Sequence, residues 1–240
     1  MSRSDAGRGR ETTRDGVPIK VFPTKRDAGE AAGRLAETLL QEAIERNGSA
    51  SLVVGAANSQ IEIIETLASS RTVEWKKVTL FHMDEYVGIP ETHSASFRRW
   101  VKEHLVDRVD IGTVNYVMAD ARDPLAEAKR YSELYNAAPV DLVLLGFGEN
   151  GHIAFNEPEV ADFEDPETMK LVHLDEKSRL QQVGEGHFPT LRDVPESALT
   201  LTCSALFAGR NWIATVPEKR KAQAVHDAFA GPIAEAYPAS

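Results

Sequence analysis

Residues 141–158 read DLVLLGFGENGHIAFNEP. The run Leu142-Val143-Leu144-Leu145 is short, apolar on both alternating faces and bounded by Asp141 and Gly146, a pattern that predicts a fully buried strand of a parallel sheet. Ligands of open α/β sheets bind outside the carboxyl ends of the strands, so the polar cluster that follows falls where a site is expected. Gly146, Gly148 and Gly151 let the backbone turn sharply and let a ligand come close. His152, with Glu157 five residues on, is a pair suited to general acid–base work, because a carboxylate can orient the ring and raise its basicity. The plainer alternative is a surface histidine in a glycine-rich turn.

Working outward, the chain alternates strands with helical stretches. Val17 to Phe22 alternates as a strand, and Thr24 with Asp27 predicts a helix start, with the helix over Ala28 to Asn47 and a stop at Asn47-Gly48. Ala50 to Val54 predicts a second buried strand. It runs through Gly55-Ala56-Ala57-Asn58-Ser59-Gln60 into a helix from Ile61 to about Ser69, an arrangement whose backbone N–H groups and helix N-terminus can hold a phosphate. Val78 to Met83 predicts a third strand, ending in Asp84-Glu85-Tyr86-Val87-Gly88. Two adjacent carboxylates on an extended chain point in opposite directions, so only one of Asp84 and Glu85 can face a site.

Further on, His93 to Leu105 predicts a helix with Phe97, Trp100, Val101 and Leu105 inward and Arg98, Arg99 and Lys102 in solvent. Asn115 to Met118 reads as a short strand, and Pro124 to Ala138 as a helix with Leu125, Ala128, Tyr131 and Leu134 inward. The acidic segment Glu159 to Glu167 reads as a lid or as plain surface. Strands are expected over 170–174, 197–202 and 212–216, with a helix opening at Pro217. The fold class expected is α/β, a single domain with a largely parallel sheet and helices on both faces, over residues 17–240. Residues 1–16 are too polar to bury much and are expected to form a disordered tail.

Composition narrows the function classes. A formal net charge of −10 disfavours nucleic-acid and anionic-membrane binding, which need basic faces. No apolar run approaches the ~18 residues of a membrane-spanning helix. The single cysteine, Cys203, excludes an intramolecular disulfide and fits a cytoplasmic protein, with a buried inert thiol as its expected state.

Two stretches, Gly146 to Pro158 and MDEYVG over 83–88, resemble the signatures of the glucosamine-6-phosphate deaminase/isomerase family. The resemblance implies a modified Rossmann-like fold and conversion of glucosamine 6-phosphate and water to fructose 6-phosphate and ammonia, with no metal or organic cofactor. It implies Asp84 as the base that moves a proton between neighbouring sugar carbons. His152, steered by Glu157, would open the sugar ring, with Asn150 contributing one charge fewer than the aspartate of some relatives. It further implies a sugar-phosphate ligand, held at Ala57, Asn58 and Ser59 and by Arg179 and Lys221; a homo-oligomer is compatible with it. Ala56-Ala57 stand where such relatives carry Thr-Gly, which removes a hydroxyl and disfavours a positive φ. Relatives usually continue past such a segment as Pro238-Ala239-Ser240, which implies a shortened end. Two rivals are a 6-phosphogluconolactonase-type lactone hydrolase, disfavoured by Phe155-Asn156-Glu157-Pro158 and MDEYVG, and a non-catalytic sugar-phosphate-binding protein.

Overall fold

The computed structural model describes residues 9–184 and 186–240. Strands β1 (Arg10–Arg14) and β2 (Val17–Val21) form an antiparallel hairpin. Helix α1 (Lys25–Asn47) leads to β3 (Ala50–Val54) and α2 (Ile61–Ala68). β4 (Val78–His82) and β5 (Asp84–Tyr86) follow, then α3 (Phe97–His104), β6 (Thr113–Asn115) and α4 (Pro124–Tyr135). The opening stretch supplies β7 (Leu142–Leu145). Beyond it come β8 (Met169–His173), α5 (Glu176–Gly184), β9 (Ser197–Leu201), α6 (Cys203–Phe207), β10 (Trp212–Ala214) and α7 (Ala222–Ala230).

The main sheet is parallel throughout, in the order β10-β7-β3-β4-β6. β7 is paired on both sides, which explains its apolar composition. Leu142 and Leu144 share one core with Leu52, Val54 and Leu80 and with Ala36 and Leu40 of α1. Val143 and Leu145 face the opposite layer with Val53, Phe81 and Tyr131 and Tyr135 of α4. Helices therefore cover both faces, and burial of each such side chain stabilises the fold by ~1.5–3 kcal/mol. A smaller antiparallel sheet, β5-β9-β8, packs into the second layer through Met169, Leu199 and Leu201. Between His82 and Asp84 the chain leaves one sheet for the other.

Several expectations need correction. Residues 1–8 of the expected tail lie outside the described residues, but Arg10 to Arg14 is a strand. Asp15 and Gly16, at φ 48 and 86, form the tight left-handed turn that an Asp-Gly pair favours between two strands. Arg98, placed in solvent by its neighbours, is 3% exposed and paired with Asp120 at 3.1 Å, the partner that makes its burial tolerable. The inward stripe of α4 is Glu127, Ala128, Tyr131 and Tyr135, while Leu125 and Leu134 stay exposed on its flanks. Glu127 can be buried because it accepts the N–H of Met118 and pairs with Arg130. The strand expected at 115–118 forms earlier, at Thr113–Asn115.

Segment 159–167 is tied to the body. Lys170 Nζ donates to Val160 O and to Asp165 Oδ2, both at 2.7 Å, while Ser204 and Thr202 donate to the carbonyls of Asp165 and Glu167. This favours anchored surface over a lid. Among the described residues no helix is long and apolar enough to cross a membrane.

Candidate active site

The loops beyond the carboxyl ends of β3, β4, β7 and β10 frame a cleft lined by Asp84, His152, Lys221 and the small-residue loop 55–60. Two side chains read from stretches far apart in sequence thus face one space.

His152 is held from behind. Its Nδ1 lies 2.8 Å from Asn150 Oδ1 and 3.1 Å from Glu157 Oε1. Both partners are acceptors, because Asn150 turns its Nδ2 to Glu157 Oε2 at 2.5 Å and so presents its oxygen to the ring. Nδ1 therefore carries the proton and Nε2 the lone pair. Asn150, expected to weaken the relay, instead links both groups and also accepts the N–H of His152 at 3.1 Å. Gly148 underlies the ring so closely that a Cβ there would sit 2.2 Å from its atoms. Phe155 N–H donates to Thr200 Oγ1, and the buried Asn156 amide donates to Ile153 O and Leu201 O, docking the loop on β9. Ala154, in this same loop, is held at φ 53, a conformation that costs an L-residue energy and recurs at functional sites.

Asp84 opens β5 and is 7% exposed. Burial, and after it the neighbouring Glu85 charge, holds its carboxyl well above the usual carboxylate range. Glu85 faces the other way, as alternation requires. It accepts the N–H groups of Tyr86, Phe97 and Arg98 and the hydroxyl of Ser96, capping the N-terminus of α3. Burial raises its carboxyl too, with those hydrogen bonds opposing.

At the other end of the cleft, Ser59 is buried and Lys221 is 9% exposed with Nζ 3.6 Å from Glu218. Ala57 has φ −147, extended backbone that any residue adopts, so replacing glycine here introduces no strain. Asn58 lines the cleft, its carbonyl held by Lys25 Nζ at 2.8 Å. Arg179 is not part of the lining. Its Nη2 donates to Leu191 O at 3.0 Å and Val194 O at 2.9 Å, so it ties α5 to the following loop. Gln182 and His187 present that segment to the cleft instead.

The guanidinium at the cleft belongs to Arg220, missed because three consecutive basic residues read as surface; it bridges Glu149 and Glu218. Gln60 was missed as well. It is 1% exposed, and its amide donates to Leu145 O and Thr215 Oγ1, tying the phosphate-type loop to β7 and the end of β10. Among the described residues no group of three His, Cys, Asp or Glu could hold a metal ion.

Known proteins resemble this chain in sequence and fold. The chain is 36% identical over 195 residues to a glucosamine-6-phosphate deaminase of an Exiguobacterium species, covering 81% of this chain and 74% of that one. To a glucosamine-6-phosphate deaminase of Pseudarthrobacter chlorophenolicus it is 32% identical, over 87% and 80% of the two chains. The fold superposes on a monomeric glucosamine-6-phosphate deaminase with a TM-score of 0.80 at 25% identity, covering 90% and 88%. With a 6-phosphogluconolactonase from Plasmodium vivax the TM-score is 0.76 at 13% identity, over 95% and 87%, a likeness of fold alone. A family model described as glucosamine-6-phosphate isomerases/6-phosphogluconolactonase matches residues 23–240, and this chain belongs to that family.

Proposed function

We propose that the protein converts glucosamine 6-phosphate and water to fructose 6-phosphate and ammonia. The observation that carries this reading is the shared cleft of Asp84 and His152, with His152 Nδ1 committed to Asn150 and Glu157 so that Nε2 is the nitrogen left for chemistry. His152 Nε2 takes the proton of the sugar's anomeric hydroxyl and returns it to the ring oxygen, opening the ring. Asp84, ionised, takes the proton from carbon 2, giving an enol-amine. Returning it to carbon 1 leaves an iminium at carbon 2, where water adds and ammonia departs. Each positioned acid or base contributes roughly 10²–10⁴-fold. The phosphate lies at the loop of Ala57, Asn58 and Ser59, against Lys221.

The lactone-hydrolase reading has no use for a second proton-transfer group at the start of β5. The test is ammonia and fructose 6-phosphate production from glucosamine 6-phosphate by the purified protein, beside hydrolysis of 6-phosphogluconolactone. Stoichiometric ammonia and ketose phosphate support the reading; lactone hydrolysis without ammonia overturns it.

A further inference from the structure

The parallel ladder between β4 and β6 ends at Phe81 and Asn115. One residue further on, a side chain continues it. His82 Nε2 lies 2.9 Å from the N–H of Val117, and Nδ1 lies 3.0 Å from the carbonyl oxygen of Asp84. An N–H only donates and a carbonyl only accepts, so Nε2 carries the lone pair and Nδ1 the proton. The ring is 1% exposed and meets Tyr116 and Tyr131 edge-on. Tyr131 completes the frame, its hydroxyl accepting His82 N–H at 3.0 Å and donating to His82 O at 2.7 Å.

We propose that His82 is a positioning residue for Asp84, its neutral imidazole fixing the backbone of the proton shuttle to the rim of the main sheet. This rests on the role given to Asp84 above. The chain is changing sheets at this point. Met83 N–H still donates to Val54 O at 3.2 Å, and Met83 O already accepts the N–H of Leu201 at 2.8 Å. The next carbonyl, that of Asp84, is held by the imidazole. A planar ring with a donor on one side and an acceptor on the other spans the gap as a rigid strut. Burial brings its pKa down to about 3, so the strut stays neutral while the site titrates.

Long-range proton–nitrogen NMR on the labelled full chain should show His82 protonated at Nδ1 alone and not titrating around pH 6–7, where an exposed histidine would. The opposite tautomer, or a titration there, overturns the proposal. Kinetics provide the second reading. His82→Asn retains one donor and one acceptor and should keep kcat within ~5-fold, whereas His82→Phe, which fills the space and makes neither contact, should lose ~10–100-fold in kcat with KM within ~3-fold, as small misplacements of a reacting group do. A Phe variant with a lowered Tm and unchanged kcat would make His82 a packing residue only. If that variant does not fold, the tautomer and the kcat of His82→Asn decide: loss of more than ~10-fold in the Asn variant overturns the strut. Wild-type ammonia release is measured first. Its absence would sink the deaminase reading while leaving the tautomer result to stand or fall by itself.

Discussion

Glu157 reaches Nδ1 of His152 at 3.1 Å and, through its other oxygen, fixes the amide of Asn150 that meets the same nitrogen. One carboxylate thereby sets both the tautomer of the ring and the flip of the amide. Both oxygens of Glu157 face a donor, so Glu157→Gln must turn an N–H toward one of them, and kcat should fall by ~10²-fold with little change in KM. Steady-state ammonia release checks it, and an unchanged kcat would leave Asn150 as sufficient support.

Asp84→Asn should abolish turnover and stabilise the protein above neutral pH. The folded-state pKa of Asp84 is raised by burial, so between its unfolded value near 4 and that raised value the native state binds more protons, and stability falls as pH rises. Asparagine removes the buried charge. A gain of roughly 0.5–2 kcal/mol, about 2–6 °C in Tm, is expected at pH 8 and should vanish near pH 4. In the wild type, the acid limb of kcat should lie above the usual carboxylate range.

Gly148→Ala tests the close approach beneath His152. The added methyl would lie 2.2 Å from the ring, so the imidazole must move. The ring is partly exposed and can swing aside, so kcat should drop ~10–100-fold with Tm nearly unchanged.

Arg179→Ala and Lys221→Met separate scaffold from ligand contact. Arg179 ties two backbone carbonyls, so its loss should cost ~1–3 kcal/mol of stability with KM within ~2-fold. Lys221→Met removes a cation from the cleft and should raise KM ~10–100-fold, the equivalent of one charged hydrogen bond. KM effects in the reverse order would return Arg179 to the phosphate.

Glu85→Gln should destabilise without entering the chemistry directly. Both carboxylate oxygens accept two donors each, and an amide nitrogen in place of Oε2 would face Arg98 N–H and Ser96 Oγ. A loss of ~2–3 kcal/mol, read by urea unfolding, is expected. Removing its charge also relieves the repulsion on Asp84, so the acid limb of kcat should move to lower pH.

The frame was legible because its strands bury both faces. Leu142 to Leu145 reads as a buried parallel strand, and the placing of the polar residues after it follows from that. Asp84 and His152 were legible as candidates because their stretches carry specific signatures, and both line the cleft. The rest depends on partners that are remote in sequence. Burial of Arg98 needs Asp120, and the direction of Arg179 is set by carbonyls at 191 and 194. The hairpin at 10–21 was obscured by its polar composition, although Asp15-Gly16 is a turn signal. Asn150 read as a missing charge because its two faces, one toward Glu157 and one toward His152, exist only once the loop has closed.

The switch of sheets between His82 and Asp84 also bears on the order of assembly. Among the described residues β5 pairs only with β9, whose residues emerge from the ribosome long after Asp84 has done so. The parallel core of β3, β4 and β6 can collapse early from near neighbours, but the carboxylate of Asp84 takes its seat only when that late strand arrives, a long-range closure that is slow by nature. A nascent chain halted before residue 197 would hold most of its first core layer, with Asp84 still unseated beside the proposed site.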